Sequence, residues 1–330
     1  MPEIIGPKNG LREVLLSHEP KQAQMVNTIT EDAPIVGGDV LFMPASHNII
    51  NKYEKAREVQ GPKRVDLDAP LKLMNVVTDL KETKLFKVAG LLELPVDRIE
   101  SATEEWMAQW MARKLPLTLQ AGMADIERSY LYDILLASCL ESPGRTKNMN
   151  ALATGNNYLS ILGCVYDEGN NCGLYNANRA NPMGGAAGAG NGEQQQSSFF
   201  RIDMKWAGGR GDLSNGATGY AWDVSAMLGF QQANEKKEAA IVNIDEDHFP
   251  TYLDLIEFAR KLRGQNVARK HIFMSPTTAG IIISKYSNTN SNNSLITVGP
   301  DGRLRILGIP VTESENFITD EEAIPAGNIA

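Results

Sequence analysis

Apolar and polar positions along this chain fall into two contrasting blocks. From Ser46 to Pro95 the sequence is studded with charge and carries no apolar face able to form a core by itself. From Ser101 onward apolar residues recur at Met107, Trp110, Met111, Leu115, Met123, Ile126, Tyr130 and Ile134, the spacing of one helical face. The pattern predicts an extended hairpin running into a long amphipathic helix over Ser101–Leu140, with Met107, Trp110, Met111, Ile126 and Tyr130 as its core-facing side chains. Ser101-Ala-Thr-Glu104 fits a capping box, in which the Ser hydroxyl accepts from the third helical N–H and Glu reaches back. Pro116 removes a backbone donor and predicts a kink or a break into two helices. Trp106 and Trp110 read as core rather than as a ligand box, the usual role of aromatic residues at helical spacing. Ser142-Pro143-Gly144 ends the run.

Within the first block, Asn48 to Val59 is charged throughout and Gly61-Pro62 breaks it. Val65 to Leu94 mixes Leu, Val and Phe with Lys, Asp and Glu, and Lys84–Leu94 leans toward β. A hairpin exposed on both faces is marginal alone. It needs a partner surface, and an identical subunit is the simplest one.

The remaining segments predict a mixed architecture. Residues 1–37 alternate short apolar pieces with Pro and charge and read as an arm lying on something else. Asp39–Met43 predicts a short strand ended by Pro44. Residues 145–200 are rich in Asn and Gly and predict long loops; Gly184–Gly192 with Gln194–Gln196 is low-complexity, and its G-x-G lacks the flanking strand and helix of a phosphate cradle. A helix is expected over Pro250–Leu262, with Asp245-Glu246-Asp247-His248 complementing its dipole rather than holding a metal. His271–Ser275 predicts a buried strand, Thr277–Tyr286 a helix, and Leu304–Thr312 two strand pieces about a Gly-x-Pro turn. Strands and helices in this order argue an α+β fold.

The 330 residues are 42% hydrophobic, enough for a sizeable core, in two domains or one with insertions. A net charge of −8 argues against coating a nucleic-acid backbone, which takes a basic face, but permits enclosing nucleic acid without gripping it. Cys139, Cys164 and Cys172 form no C-x-x-C pair, which suits a reduced cytosolic folding environment; Cys139 reads as a buried thiol, and no histidine stands at metal-ligand spacing from the other two. No apolar window is long enough for a membrane span, and Met1–Gly10 has no apolar signal core. None of His18, His47, His248 and His271 stands at a recognised spacing from Ser, Cys or another His, and G-x-S-x-G, P-loop and H-E-x-x-H motifs are absent. The chain is therefore expected to be no enzyme, with no catalytic residue, metal or cofactor. Arg210-Gly-Asp212 is taken as a chance tripeptide.

Four segments in order then carry a likeness. They are the hairpin Ser46–Pro95, the helix Ser101–Leu140, the segment Tyr252–Ile283 with its Ile-Phe-Met-Ser strand, and Gly308-Ile-Pro-Val-Thr-Glu-Ser314. Together they resemble the major capsid proteins of tailed phages, which have the Hong Kong 97-type fold. The resemblance implies an N-terminal arm and first strand over 1–45 and an extended loop over 46–95 that lies across an adjacent subunit. It implies a peripheral domain with the spine helix over 96–145, an axial α/β domain over 146–310, and a return to the peripheral domain over 311–330. One departure stands out: relatives carry several more strands after the Gly-Ile-Pro-Val strand, and here Ala330 follows soon after it.

By the same likeness the chain self-assembles through hexamers and pentamers into the icosahedral head shell of a tailed bacteriophage. The shell encloses double-stranded DNA without sequence-specific binding and involves no membrane. Portal, scaffold or decoration proteins are implied as further partners, the virion as location, and the host bacterial cytoplasm as site of assembly. Lys52, Lys55, Arg57, Lys63, Arg64 and Lys72 become candidate intersubunit contacts. Some relatives join such a lysine covalently to a neighbour's Asn, and Lys52, Lys55, Lys63 and Lys72 are placed for it, although a solvated or ion-paired lysine is the simpler reading of each. Two alternatives stay open: an encapsulin-like nanocompartment shell protein, and a pocket enzyme or sugar-binding module with the Asn/Gly-rich middle as binding loops.

Overall fold

A computed structural model describes residues 33–62, 74–95, 104–176, 201–206, 211–286, 295–299 and 302–329, with backbone alone at 104–109 and 111–113. A π-helical turn, Ile35–Asp39, precedes β1 (Phe42–Pro44), β2 (Ile50–Gln60), β3 (Asn75–Lys84) and β4 (Phe86–Pro95). Helix α1 (Glu104–Ser129) continues into a π-helical segment, Tyr130–Leu136, and a last turn, α2 (Ala137–Glu141). Then follow β5 (Thr146–Asn148), β6 (Leu159–Val165), β7 (Asn171–Tyr175), β8 (Arg201–Met204), β9 (Gly211–Asp212), β10 (Thr218–Gln232) and β11 (Glu238–Ile244). The chain closes with α3 (Tyr252–Lys261), β12 (Lys270–Met274), α4 (Pro276–Tyr286), β13 (Ile296–Val298), β14 (Leu304–Ile306) and β15 (Ile309–Glu313).

The strands form three sheets. One runs β1-β7-β10-β4, with β8 and β9 also on β10; a second runs β13-β14-β15-β12-β6-β11-β5; the third is β2-β3 alone. The second sheet is covered on both faces, so its central strands read as near-continuous apolar runs. In β6, Leu162 and Cys164 join a core with Met123, Ile126, Tyr130 and Leu135 of the long helix and Phe230 of the first sheet. Alternate residues Ile161 and Val165 join a second core with Phe258 and Leu262. Gly163 is required between them, because a Cβ there would lie 2.9 Å from both Phe258 and Leu262 side chains.

Several sequence expectations are corrected. Of the kink or break expected at Pro116, the break does not occur: the helical backbone runs on through that residue, which lies at an exposed position. Leu159–Val165 and Asn171–Tyr175 are strands, not loop, because burial on both faces outweighs their Gly and Asn content. Phe86–Pro95 leaves the hairpin and pairs with β10 from Phe86↔Leu228 to Pro95↔Gly219. The strand expected at Asp39–Met43 is the shorter Phe42–Pro44, since Ile35–Asp39 is drawn into a helical turn. The turn between β14 and β15 is Leu307-Gly308, with φ 53 and 76, leaving Pro310 inside β15. Helix α3 is capped by Thr251 and Asp254, whereas the Asp245 carboxylate turns back to the His248 backbone N–H and ring. The Ser101 cap, the Gly184–Gly192 stretch, Arg210, His18 and residues 1–32 lie outside the described residues.

Candidate functional site

Among the described residues, the two-stranded sheet β2–β3 is joined by no further strand. Its register runs from Ile50↔Lys84 to Gln60↔Asn75, with a bulge between Ala56 and Glu58 that absorbs Arg57. No residue of either strand is buried. Opposite charges face each other at Lys52↔Glu82 and Lys55↔Asp79, each cross-strand pair contributing roughly 0.2–1 kcal/mol to register.

The two faces differ. Alternation puts Asn51, Tyr53, Lys55, Asp79 and Lys81 on one face. At the base of that face Asn51 Nδ2 donates to Gln231 Oε1 at 2.7 Å and Lys55 Nζ lies 2.8 Å from Glu235; the Lys55 ammonium holds the Glu235 carboxyl below its ordinary pKa. This face therefore looks onto the body. The other face carries Ala56, Val59, Val76 and Leu80, an apolar stripe pointing away from it. Val59, Val76 and Leu80 are 64%, 56% and 69% exposed. Among the described residues, no hydrogen bond or ion pair ties Ala56–Gln60 or Asn75–Lys81 to the rest of the chain.

Of the residues singled out in sequence, Lys52 and Arg57 are exposed on the hairpin, and Lys55 is held by its own chain's Glu235. Lys63, Arg64 and Lys72, and the side chains of Met107 and Met111, lie outside the described residues. Ile126 and Tyr130 are buried against the sheets; Trp110 is half-buried, its ring 6.1 Å from that of Trp222. The fold does not bring the hairpin cations and the helix core together.

The hairpin's platform is fastened by buried carboxylates that the apolar-pattern reading passed over. Glu127 is fully buried and accepts the backbone N–H groups of Ile35 and Val36 at 2.8 and 2.9 Å on one oxygen, and Ser314 Oγ and Asn316 Nδ2 at 2.5 and 2.9 Å on the other. Burial raises its pKa against those four bonds. Glu321 accepts from Tyr132 OH at 2.6 Å and Ser160 Oγ at 2.5 Å, and burial lifts it to about 6. Glu238 accepts from Ser138 Oγ at 2.6 Å, and burial lifts it to about 7. A signal for Glu127 was in the sequence: it stands four residues after Met123 and three before Tyr130, in phase with the buried stripe.

The fold also assembles a Cys–His–Asp trio that spacing hides. His271 pairs across strands with Cys164, and its Nδ1 lies 3.2 Å from Asp39. Cys164 is fully buried, and desolvation pushes its thiol to about 12. A thiol that is protonated and unreachable is not a nucleophile at neutral pH. Cys139 and Cys172 are buried free thiols as well. Among the described residues no cluster of His, Cys, Asp and Glu could hold a metal ion, and no helix is long and apolar enough to cross a membrane.

No family model matches the sequence, and no curated protein matches it. Solved structures do match the fold. A chain of the cryo-EM structure of bacteriophage Epsilon15 aligns with a TM-score of 0.56 and 15% identity, over 92% of this chain and 92% of that one. A chain of the bacteriophage JBD30 capsid aligns with a TM-score of 0.53 and 8% identity, over 95% of this chain and 99% of that one. A chain of the holo-SrpI encapsulin complex from Synechococcus elongatus gives a TM-score of 0.47 and 12% identity, over 72% of this chain and 98% of that one. The fold is the α+β Hong Kong 97-type capsid fold.

Proposed function

We propose that this chain is a major capsid protein whose copies assemble into the icosahedral head shell around the double-stranded DNA of a tailed phage. The observation that carries the reading is the hairpin β2–β3: an apolar stripe of Val59, Val76 and Leu80, more than half exposed, on a sheet that no further strand joins among the described residues. An isolated two-stranded sheet is marginal in water, and a sister subunit supplies the missing surface. The two matched phage structures, one of them a capsid, support this reading through the shared fold.

In this reading 1–45 is the arm, 46–95 the extended loop, with its hairpin ending at Lys84 and its last strand, Phe86–Pro95, joined to β10 of the body, 96–145 the peripheral domain, 146–310 the axial domain and 311–330 the return segment. Apolar burial over several modest interfaces drives assembly, and the hairpin charges, Lys52 and Arg57 among them, fix register and reject wrong partners more than they add affinity. A chain of net charge −8 suits a wall that encloses DNA without binding it tightly. Assembly takes place in the host bacterial cytoplasm, the shell then belongs to the virion, and portal, scaffold or decoration proteins are its candidate partners.

The test is negative-stain microscopy of the purified full-length chain beside a variant lacking Asn51–Lys81. Uniform hollow particles from the former, and a folded, soluble subunit without particles from the latter, are expected. Normal shells from the deletion variant would refute the role given to the hairpin, and a full-length chain that stays monomeric with or without co-expressed phage scaffold would refute the shell. Shells that package a co-expressed enzyme instead of DNA would replace the phage reading with a nanocompartment.

A further inference from the structure

The residues after β15 run as an irregular segment, with one isolated bridge, Tyr158↔Glu321, and a short turn at Ala326–Asn328. Polar side chains of the body hold much of it. Tyr132 OH accepts the Ile318 N–H at 2.9 Å and donates to Glu321. The Asn243 amide, on a backbone with φ 56, accepts the Ile324 N–H at 2.9 Å and donates to the Ile324 carbonyl at 2.8 Å, standing in for a strand partner. The first of these fastenings, at Ser314 and Asn316, uses the same carboxylate that captures the N-terminal turn.

We propose that Glu127 couples the two ends of the described chain: the turn Ile35–Asp39 and the segment from Ser314 hang from opposite oxygens of one buried carboxylate, so that freeing either loosens the other. The geometry gives the reason. Each oxygen carries two donors, and hydrogen bonds to a charged acceptor are the strong ones. Stripping the donors from Oε1 leaves a buried carboxyl oxygen unsatisfied in the core, a costly state. The carboxylate then relieves itself by turning, and Oε2 is drawn away from the Ile35 and Val36 N–H groups. Groups that share one partner are coupled, not additive. Loosening of the turn Ile35–Asp39 is thereby felt at the segment from Ser314 through a single side chain of the long helix. This is a property of one subunit and does not rest on the shell reading; either can fail without the other.

Hydrogen exchange of the full-length protein tests it, resolved to the amides of Ile35 and Val36. The variant Ser314→Ala/Asn316→Ala touches neither amide, yet is expected to speed their exchange by about tenfold or more, the scale of one weakened charge-assisted bond, while helix α3 (Tyr252–Lys261) keeps its rate. Glu127→Ala is expected to speed exchange at both ends. Wild-type rates at Ile35 and Val36 in the double variant would overturn the proposal, and so would an equal acceleration in α3, which would mean general loosening. Should the double variant not fold, Ser314→Ala alone gives the same readout, with smaller amplitude and the same criteria.

Discussion

The hairpin β2–β3 and the strand pair β6–β11 are both antiparallel, and both contain a register irregularity, yet they end in opposite environments. Every residue of β11 is buried, and no residue of β2 or β3 is. Ladder hydrogen bonds are common to both, so they cannot be what separates them. Side chains decide: Glu238-Ala-Ala-Ile-Val-Asn-Ile244 can be covered on two faces, whereas Lys and Glu along the hairpin keep both faces wet apart from one short apolar stripe. The central sheet of the body is thus covered within the chain, whereas the outward stripe of the hairpin is left exposed among the described residues. Charged side chains along its two free edges also discourage indiscriminate strand pairing.

The largest effect on the isolated subunit is expected in the body. Phe273 is fully buried, its ring 6.4 Å from that of Tyr166 and stacked beside His271. Phe273→Ala should cost about 3–5 kcal/mol, transfer plus cavity, read as a lower midpoint in urea at unchanged slope. A loss below about 1 kcal/mol would mean the covered sheet is not the self-sufficient half of the comparison.

Next comes pH. Burial raises Glu238 to about 7 and Glu321 to about 6 from an ordinary 4.5. Both bind protons more tightly folded than unfolded, so their stabilising contribution is complete below about pH 4.5 and is lost as pH rises through about 6 and 7. The body should therefore be more stable at pH 5 than at pH 8, by on the order of 2–3 kcal/mol from Glu238 and somewhat less from Glu321. Asp167 and Asp254, held low in part by Lys237 and Lys147, act the opposite way, but only in stronger acid. Denaturation of wild type and Glu238→Gln at the two pH values checks this; a pH 5 to pH 8 difference that Gln leaves intact would remove Glu238 from the account. The hairpin, with no buried carboxyl, enters the profile only through Lys55, which holds Glu235 low, and so only in stronger acid than this interval.

How much of this was legible depends on whether the deciding interaction was local. The long helix followed from spacing alone, and α3, β12 and α4 followed from short runs between Gly and Pro signals. Strands β6 and β7 did not, because their Gly and Asn, read locally, mean turns; only helix α3, packed on one face of the sheet through Phe258 and the adjoining Leu262, makes Gly163 a close-packing position. The same holds for the hairpin's limit. Nothing local separates Thr83-Lys84 from Phe86-Lys87, and the boundary is set by β10, more than 130 residues away. Glu127 was visible as a charge on an apolar stripe, but its four donors come from the two ends of the described chain.

The smallest effect on the subunit, and the sharpest test of the contrast, lies within the hairpin itself. Val76→Ser/Leu80→Ser removes most of the apolar stripe, and both positions are more than half exposed, so the isolated subunit should change by no more than about 0.5 kcal/mol. Asp79→Ser alters the opposite, body-facing side by a comparably small amount. If the outward face is the one a sister molecule covers, light scattering should show particle formation lost in the first variant and retained in the second, although their melting temperatures are alike. The reverse pattern would place the contact on the charged face and make Lys55 and Asp79 its centre. Equal assembly in both would leave the stripe as ordinary exposed surface, and the hairpin's dependence on a neighbour would then have to come from its backbone edges rather than its side chains.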